Sequence, residues 1–343
     1  MKKEQNCRLG KVGGQAVLEG IMMKSGDNVA LAVRKDDGTI EVKNSTHTSI
    51  RKKNKFFNLP LIRGCVNMVE TLIMSMGTLE ESANMLGLDE TEDETKFEKW
   101  LRKKFGDKLM NVIMGVGMVL GVILSLALFI GLPTLACDGI QWLGRHFFDY
   151  DVPDAVLTAV SGVLKIMIFV VYLLLVSLMK DIRRTFEYHG AEHKSIACYE
   201  AGDELTPENA MKHSRLHPRC GTSFMIVVLL ISIFLTMFIN WDWHPLIVML
   251  VKFGMMIPVI GISFEFLIWA GKHPNWLTRV LSAPGLWMQH ITTKEPDLEQ
   301  LEVAIAALKN AMPDQFPEVL EVKEEASAEE AATEEDSADS DVQ

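Results

Sequence analysis

The segment Tyr188-His189-Gly190-Ala191-Glu192-His193-Lys194 carries the spacing His-x-x-Glu-His. On a helix, His189 and His193 share a face, and Glu192 is displaced from them by roughly 60–100° around the axis. Two imidazoles on one face can grip one divalent metal, and an adjacent carboxylate can take a proton from a water that the metal polarises. This order of residues is that of the inverted zincins. About two dozen residues further on, His217-Pro218-Arg219-Cys220-Gly221 offers two more ligands of the right softness. Four of the nine histidines fall between positions 189 and 217. A catalytic zinc takes three protein ligands and keeps one position open. His189, His193 and one of His217 or Cys220, with Glu192 as general base, would meet that requirement. If His217 and Cys220 both bind, the site is closed and structural. Glu200, eleven residues beyond His189, returns to nearly the same helix face and is a further candidate.

These residues must be placed by the elements around them. The chain has 343 residues, of which 48% are hydrophobic, and the apolar excess is concentrated in blocks. Four stretches approach or exceed the ~20 apolar residues that cross a bilayer core: Leu109–Leu135, Ala155–Met179, Thr222–Asn240 and Leu246–Ala270. The net charge of −11 is misleading, because Glu318–Gln343 holds eleven acidic residues and one lysine. That tail has too little apolar surface to offset the entropy of ordering it, and it is expected to be disordered. Nothing in the remainder points to nucleic acid.

The sequence therefore predicts a mainly α membrane protein. It has four transmembrane helices, a small β-containing cytoplasmic N-terminal region and a cytoplasmic helical hairpin. Residues 1–60 read as β-rich, with VALAVRK, the Asp-Gly turn of DDGT and the alternating IEVKNSTHTSI. Residues 61–108 hold an amphipathic helix, with Ile62, Cys65, Val66, Val69, Leu72, Ile73, Met76 and Leu79 at helical spacing, then an acidic and basic linker. This helix is expected against the membrane or the helix bundle, with the core helix of a cytoplasmic domain as the alternative. The first two spans occupy 109–179. The His-rich hairpin covers 180–221, with a helix ended by Gly202-Asp203 and a second one starting at Thr206-Pro207. The last two spans occupy 222–270, a cytoplasmic helical segment 271–317, and the tail 318–343.

Lysine and arginine set the orientation. Lys96, Lys99, Arg102, Lys103, Lys104 and Lys108 precede the first span, Lys180, Arg183, Arg184 and Lys194 follow the second, and Lys272 and Arg279 follow the fourth. The opposite side offers only Arg145. Both termini and the hairpin are thus expected in the cytoplasm. Of the five cysteines only Cys137 falls outside, so no disulfide framework is expected.

Charges at membrane depth are functional candidates. They are Lys165, Lys252 and Glu265, the last expected to line the same cavity or to pair with Arg183 or Arg184. Gln15 and Glu19, in the glycine-bracketed strand Gly13–Gly20, and the segment Thr292–Asp297 are further elements that can face the histidines. Four spans without a duplicated pattern lack the repeat signature of transporters.

GGQAVLEGIMMKS near the start, YHGAEHKSIACYE in the middle, HPRCGTSF before the third span and MQHITTKEPDLEQLEVAIAAL near the end resemble the YqhQ family of bacterial membrane proteins. The resemblance covers about residues 8–312, shows no departure from those motifs, and leaves out the tail. It implies a multi-pass protein of the bacterial plasma membrane. The family is catalogued as predicted metal-dependent enzymes, which implies a metal at His189, Glu192 and His193. Two readings follow. One is a membrane-embedded metal-dependent hydrolase at the cytoplasmic interface, acting on a lipid-linked group or a membrane-protein segment. The other is a non-enzymatic factor bound to another membrane complex, such as translocation or assembly machinery. A cysteine-accessibility or reporter-fusion map should find only about Cys137–Asp154 and Trp241–Pro245 outside; a His189 position labelled from outside overturns the orientation.

Overall fold

A computed structural model describes residues 8–87, 116, 119–238, 245–273 and 275–318. The expected acidic loop at Leu88–Glu98, the lysine-rich approach to the first span, the start of that span, residues 239–244 and the tail beyond Glu318 lie outside the described residues.

An antiparallel meander opens the fold: β1 (Val12–Val17), β2 (Gly20–Ser25), β3 (Asn28–Arg34) and β4 (Ile40–Thr46), in that order across the sheet. Val17 pairs with Gly20 and Ser25 with Asn28, so Leu18-Glu19 and Gly26-Asp27 are two-residue turns. Gly26 (φ 63°) and Glu19 (φ 46°) take the left-handed conformation that such hairpins demand. The run Gly13–Gly20, expected as one strand, therefore turns at Glu19 and ends in the first residue of β2.

Alternation sorts the sheet's side chains. Ile21, Met23, Ala30 and Ala32 join one core cluster and Val17, Met22, Val29, Leu31 and Val33 another. Burial on both faces explains the unbroken apolar run of β3.

The helices follow as α1 (Ile62–Met85), α2 (Val119–Phe148), α3 (Asp154–Val176), α4 (Lys180–Ala201), α5 (Pro207–Met211), α6 (Gly221–Thr236), α7 (Pro245–Lys272), α8 (Trp276–Thr292) and α9 (Leu298–Ala311). Helices α4 and α9 cover the first face of the sheet, with Tyr188, Ala191, Tyr199, Leu301, Ala304 and Leu308 in the shared core. The end of α1 covers the second face through Met74 and Met85.

The other end of α1 packs on α7. A methyl group at Gly64 would lie 2.7 Å from the Phe264 Cβ and 3.1 Å from the Gly261 Cα, so the two backbones approach as closely as glycine permits. Beside this contact Arg63 pairs with Glu265 through two hydrogen bonds. Glu265 thus meets an arginine of α1, where Arg183 or Arg184 was expected. The amphipathic helix bridges the sheet and a membrane-type helix, and Leu72, Ile73 and Met76 stay exposed.

Among the described residues, three helices are long and apolar enough to cross a membrane: Val119–Phe148, Asp154–Val176 and the stretch Leu250–Gly271 of α7. α6 is apolar but shorter. The first run was expected to stop at Leu135, yet the helix continues to Phe148. Pro133 falls in the first turn of the continued α-helix, after a π-helical turn at Ala127–Gly131, where it does not break the chain. The helix ends where Asp149 turns left-handed (φ 47°) and the Tyr150 N–H donates to the Gly144 carbonyl at 3.1 Å.

Two glycines of α1 give a test. Gly64→Ala should lower stability by about 1–3 kcal/mol, because the added methyl overpacks the α7 contact. Gly77→Ala meets nothing within 4 Å and should raise stability by up to about 1 kcal/mol through helix propensity. Thermal unfolding in detergent should separate the pair; equal shifts would show that α1 does not seat on α7.

Candidate metal centre

Helix α4 places the His-x-x-Glu-His residues. It ends at Gly202, left-handed at φ 87°, whose N–H donates to the Cys198 and Tyr199 carbonyls. The chain then runs through α5, capped by Thr206 with Pro207 in its first turn, and returns along 212–220 into α6. Cys220 stands at the N-cap of α6.

This return brings Cys220 to His189 and His193. The three ligand atoms lie within 4.8 Å of one another, and Cys220 Sγ is 3.2 Å from His189 Nε2. His189 Nδ1 is 2.8 Å from the Thr292 carbonyl oxygen, and His193 Nδ1 is 2.5 Å from that of Arg215. A carbonyl only accepts, so each ring carries its proton on Nδ1 and turns an Nε2 lone pair inward. Ligating histidines are held in this way by their outer partners. Burial, with His189 adding to it, outweighs the Cys220 and Arg215 contacts and lowers the pKa of His193, which keeps it neutral and able to ligate. The donor set therefore suits a divalent metal. The histidines and the cysteine are 1% (His193) and 7% (Cys220) exposed, with His189 partly open.

Glu192 lies against β1. A methyl group at Gly14 would come within 2.9 Å of the Glu192 Cγ, so that strand position admits only glycine. Burial drives the Glu192 pKa up to about 6, against the opposing pull of His189 and the Gly14 N–H. A carboxyl poised there can hold or release a proton near neutral pH.

His217 sits beside the group, its ring 5.5 Å from that of His193. Its Nε2 is 3.7 Å from Glu200 and 3.4 Å from Arg219. Glu200 also accepts from the Gly10 N–H at 2.8 Å and from Arg219. Burial alone would raise the Glu200 pKa, but His217, the Gly10 N–H and Arg219 hold it below the usual carboxylate value. His217, Glu200 and Arg219 thus form a polar network, with Arg219 and Glu200 as its ion pair, beside the His189–His193–Cys220 group.

The remaining candidates lie elsewhere. Gln15, on the face of β1 opposite Gly14, accepts from the Ser75 hydroxyl of α1 at 2.5 Å. Glu19, in its hairpin turn, binds Arg184 and Tyr188 at the start of α4. Glu265 is with Arg63.

The segment Thr292–Asp297 was named from the sequence as one that can face the histidines, whereas Lys194, Arg215 and Gln289 were not singled out as site residues. Segment 292–296 lies along α4: the Lys294 N–H donates to the Phe186 carbonyl at 2.8 Å, and a methyl group at Gly190 would run into the Lys294 carbonyl oxygen. Lys194 is buried and donates to the Met211 and His213 carbonyls at 2.8 and 3.0 Å, with Glu295 at 3.0 Å. Arg215 reaches the Thr293 carbonyl and Glu295. Gln289, wholly buried, accepts from the His217 N–H and donates to the His217 carbonyl, both at 2.7 Å, and donates to Ser223 at 2.8 Å. All but Arg215 stand inside the four motifs quoted above, which was the available signal.

Gly190→Ala should cost about 1–3 kcal/mol by pushing segment 292–296 off α4. An unchanged melting temperature would mean that this segment is not docked.

Residues 59–314 match the family model described as "Protein of unknown function (DUF1385)". The chain is 33% identical over 302 residues to the "Uncharacterized protein YqhQ" of Bacillus subtilis (strain 168), covering 88% of this chain and 92% of that protein. No solved structure matches it. The family model and the relative together place this chain in the DUF1385 family of YqhQ-like proteins.

Proposed function

We propose that this protein is a four-span membrane enzyme that holds a divalent metal, zinc before any other, on His189, His193 and Cys220. It would hydrolyse its substrate at the cytoplasmic face of the bacterial plasma membrane. The observation that carries this reading is the orientation of the two imidazoles: each Nδ1–H is spent on a main-chain carbonyl, and the Nε2 of His189 meets Cys220 Sγ. A bound divalent ion would act there as a Lewis acid on water or on a carbonyl or phosphoryl oxygen. Glu192 would take the proton of such a water, since it is the carboxylate next to His189 and is shielded from bulk water by β1. His217, Glu200 and Arg219 hold the Cys220 loop in place.

The substrate class follows from location. Cys220 begins the apolar helix α6, so the site lies where water meets hydrocarbon. A lipid-linked group or a membrane-protein segment can reach that level. The lysine and arginine bias supports the cytoplasmic side.

The near-complete burial of His193 and Cys220 favours a second reading. In it the same ligands lock the hairpin of a non-enzymatic factor that docks on another membrane complex.

The test is metal content of the protein purified without chelator. His189→Ala and His193→Ala should each abolish the metal held at this group. Cys220→Ser should do the same, while His217→Ala should retain most of it. Glu192→Gln should keep the metal and remove turnover, because an amide cannot take the proton. X-ray absorption showing three protein ligands and an open position supports the enzyme. Four protein ligands, or no metal at all, leave the docking factor ahead.

A further inference from the structure

A second group of metal-ligating side chains lies on the same helix. Cys198, Asp203 and His213 bring a thiol, a carboxylate and an imidazole together, with ligand atoms within 4.8 Å of one another. Cys198 follows His193 by five residues, about 7–8 Å along the axis and about 140° around it. The group is thus on another face from His189, His193 and Cys220.

Each member is placed by backbone features already in the fold. The left-handed Gly202 turns the chain back, and the Asp203 N–H donates to the Cys198 carbonyl at 3.2 Å, which sets Asp203 over the end of α4. His213 follows α5, its N–H bonded to the Ala210 carbonyl at 3.0 Å. Its own carbonyl is held by Lys194, one turn before Cys198 on α4. His213 Nε2 then lies 2.9 Å from Asp203 Oδ2. The thiol of Cys198 is wholly buried, and among the described residues its acceptor is the Glu204 carbonyl, at 3.5 Å. Side-chain exposure rises from Cys198 through His213 (21%) to Asp203 (55%), so an ion can enter from water on the Asp203 side.

We propose that Cys198, Asp203 and His213 form a second site for a divalent transition metal of the zinc class, which fastens the 202–213 return to the end of α4. Sulfur, nitrogen and one carboxylate oxygen are the ligand types that zinc takes, and the separations need only a small closing movement to reach tetrahedral spacing. Binding releases the Cys198 proton to solvent, and the proton that His213 Nε2 donates to Asp203 leaves that nitrogen, for Nδ1 or for solvent, as the metal takes its place. The site is structural: it steadies the Met211 and His213 carbonyls that Lys194 holds, and with them the loop leading to His217 and Cys220.

The experiment is a Co²⁺ titration of the full-length, chelator-stripped protein in detergent, following bound metal and the thiolate-to-cobalt absorption. Wild type should take up about two equivalents. His213→Gln and Asp203→Asn, which alter partly exposed side chains, should remove one equivalent or weaken it at least about tenfold. Cys198→Ser should remove the share of thiolate absorption lost with them. If Cys198→Ser does not fold, His213→Gln decides. His189→Ala should remove the other equivalent. One equivalent lost in His213→Gln but kept in His189→Ala supports this site and sinks the metal reading of the first. Stoichiometry unchanged in His213→Gln, or no Co²⁺ bound at all, overturns the proposal.

Discussion

An imidazole has one proton when neutral, and where that proton goes decides what the ring can do. In this fold the Thr292 and Arg215 carbonyls take the protons of His189 and His193. They belong to two segments 77 residues apart in the chain. Both must dock on one side of α4 for the two lone pairs to face one sulfur. Much of the polar machinery around the helix serves that docking. Lys194 and Arg215 tie the return loop to Glu295, and Gln289 clamps the His217 backbone from α8. A buried ammonium without acceptors would cost several kcal/mol. Lys194 therefore locks the loop as much as the loop satisfies Lys194.

The sheet acts as the back wall of this arrangement. Gly14 lets β1 close over Glu192, and on its other face the sheet rests on α1. α1 is pinned in turn to α7 by the Gly64–Gly261 approach and the Arg63–Glu265 pair. Wall, site and membrane-type helix are thus linked through direct contacts, although β1 and α7 are more than two hundred residues apart.

Local signals in the sequence were strong wherever short-range chemistry decides. Gly202 as the stop of α4, Thr206-Pro207 as the start of α5 and the α9 pattern all depend on neighbours a few residues away. The shared face of His189 and His193 follows from helix geometry. Contacts set by the tertiary fold were not legible. Nothing local distinguishes Cys220 from His217 as the neighbour of the two rings, because the choice depends on how the loop is held by Glu200 and Gln289. Gln15 and Gly14 are adjacent, and only the pleat, whose phase depends on where the hairpin turns, puts one toward α1 and the other toward Glu192. The arginine partner of Glu265, Arg63, lay two hundred residues upstream, beyond any pattern argument. The extension of α2 past Leu135 escaped because the span was bounded by its apolar run, and the helix goes on through Asp138, Gln141 and Arg145, which end that run without ending the helix.

The length of α6 has a consequence for the lipid. Its 16 residues measure about 24 Å, against a hydrocarbon core of about 30 Å. A helix too short for its bilayer thins the membrane around it or draws its ends inward. Cys220 is one of those ends. In the proposed four-span arrangement, with α6 as a span, hydrophobic mismatch would therefore sink the His189–His193–Cys220 group toward the acyl chains and dimple the leaflet above it. Acyl-chain length would then tune how far the centre lies from bulk water.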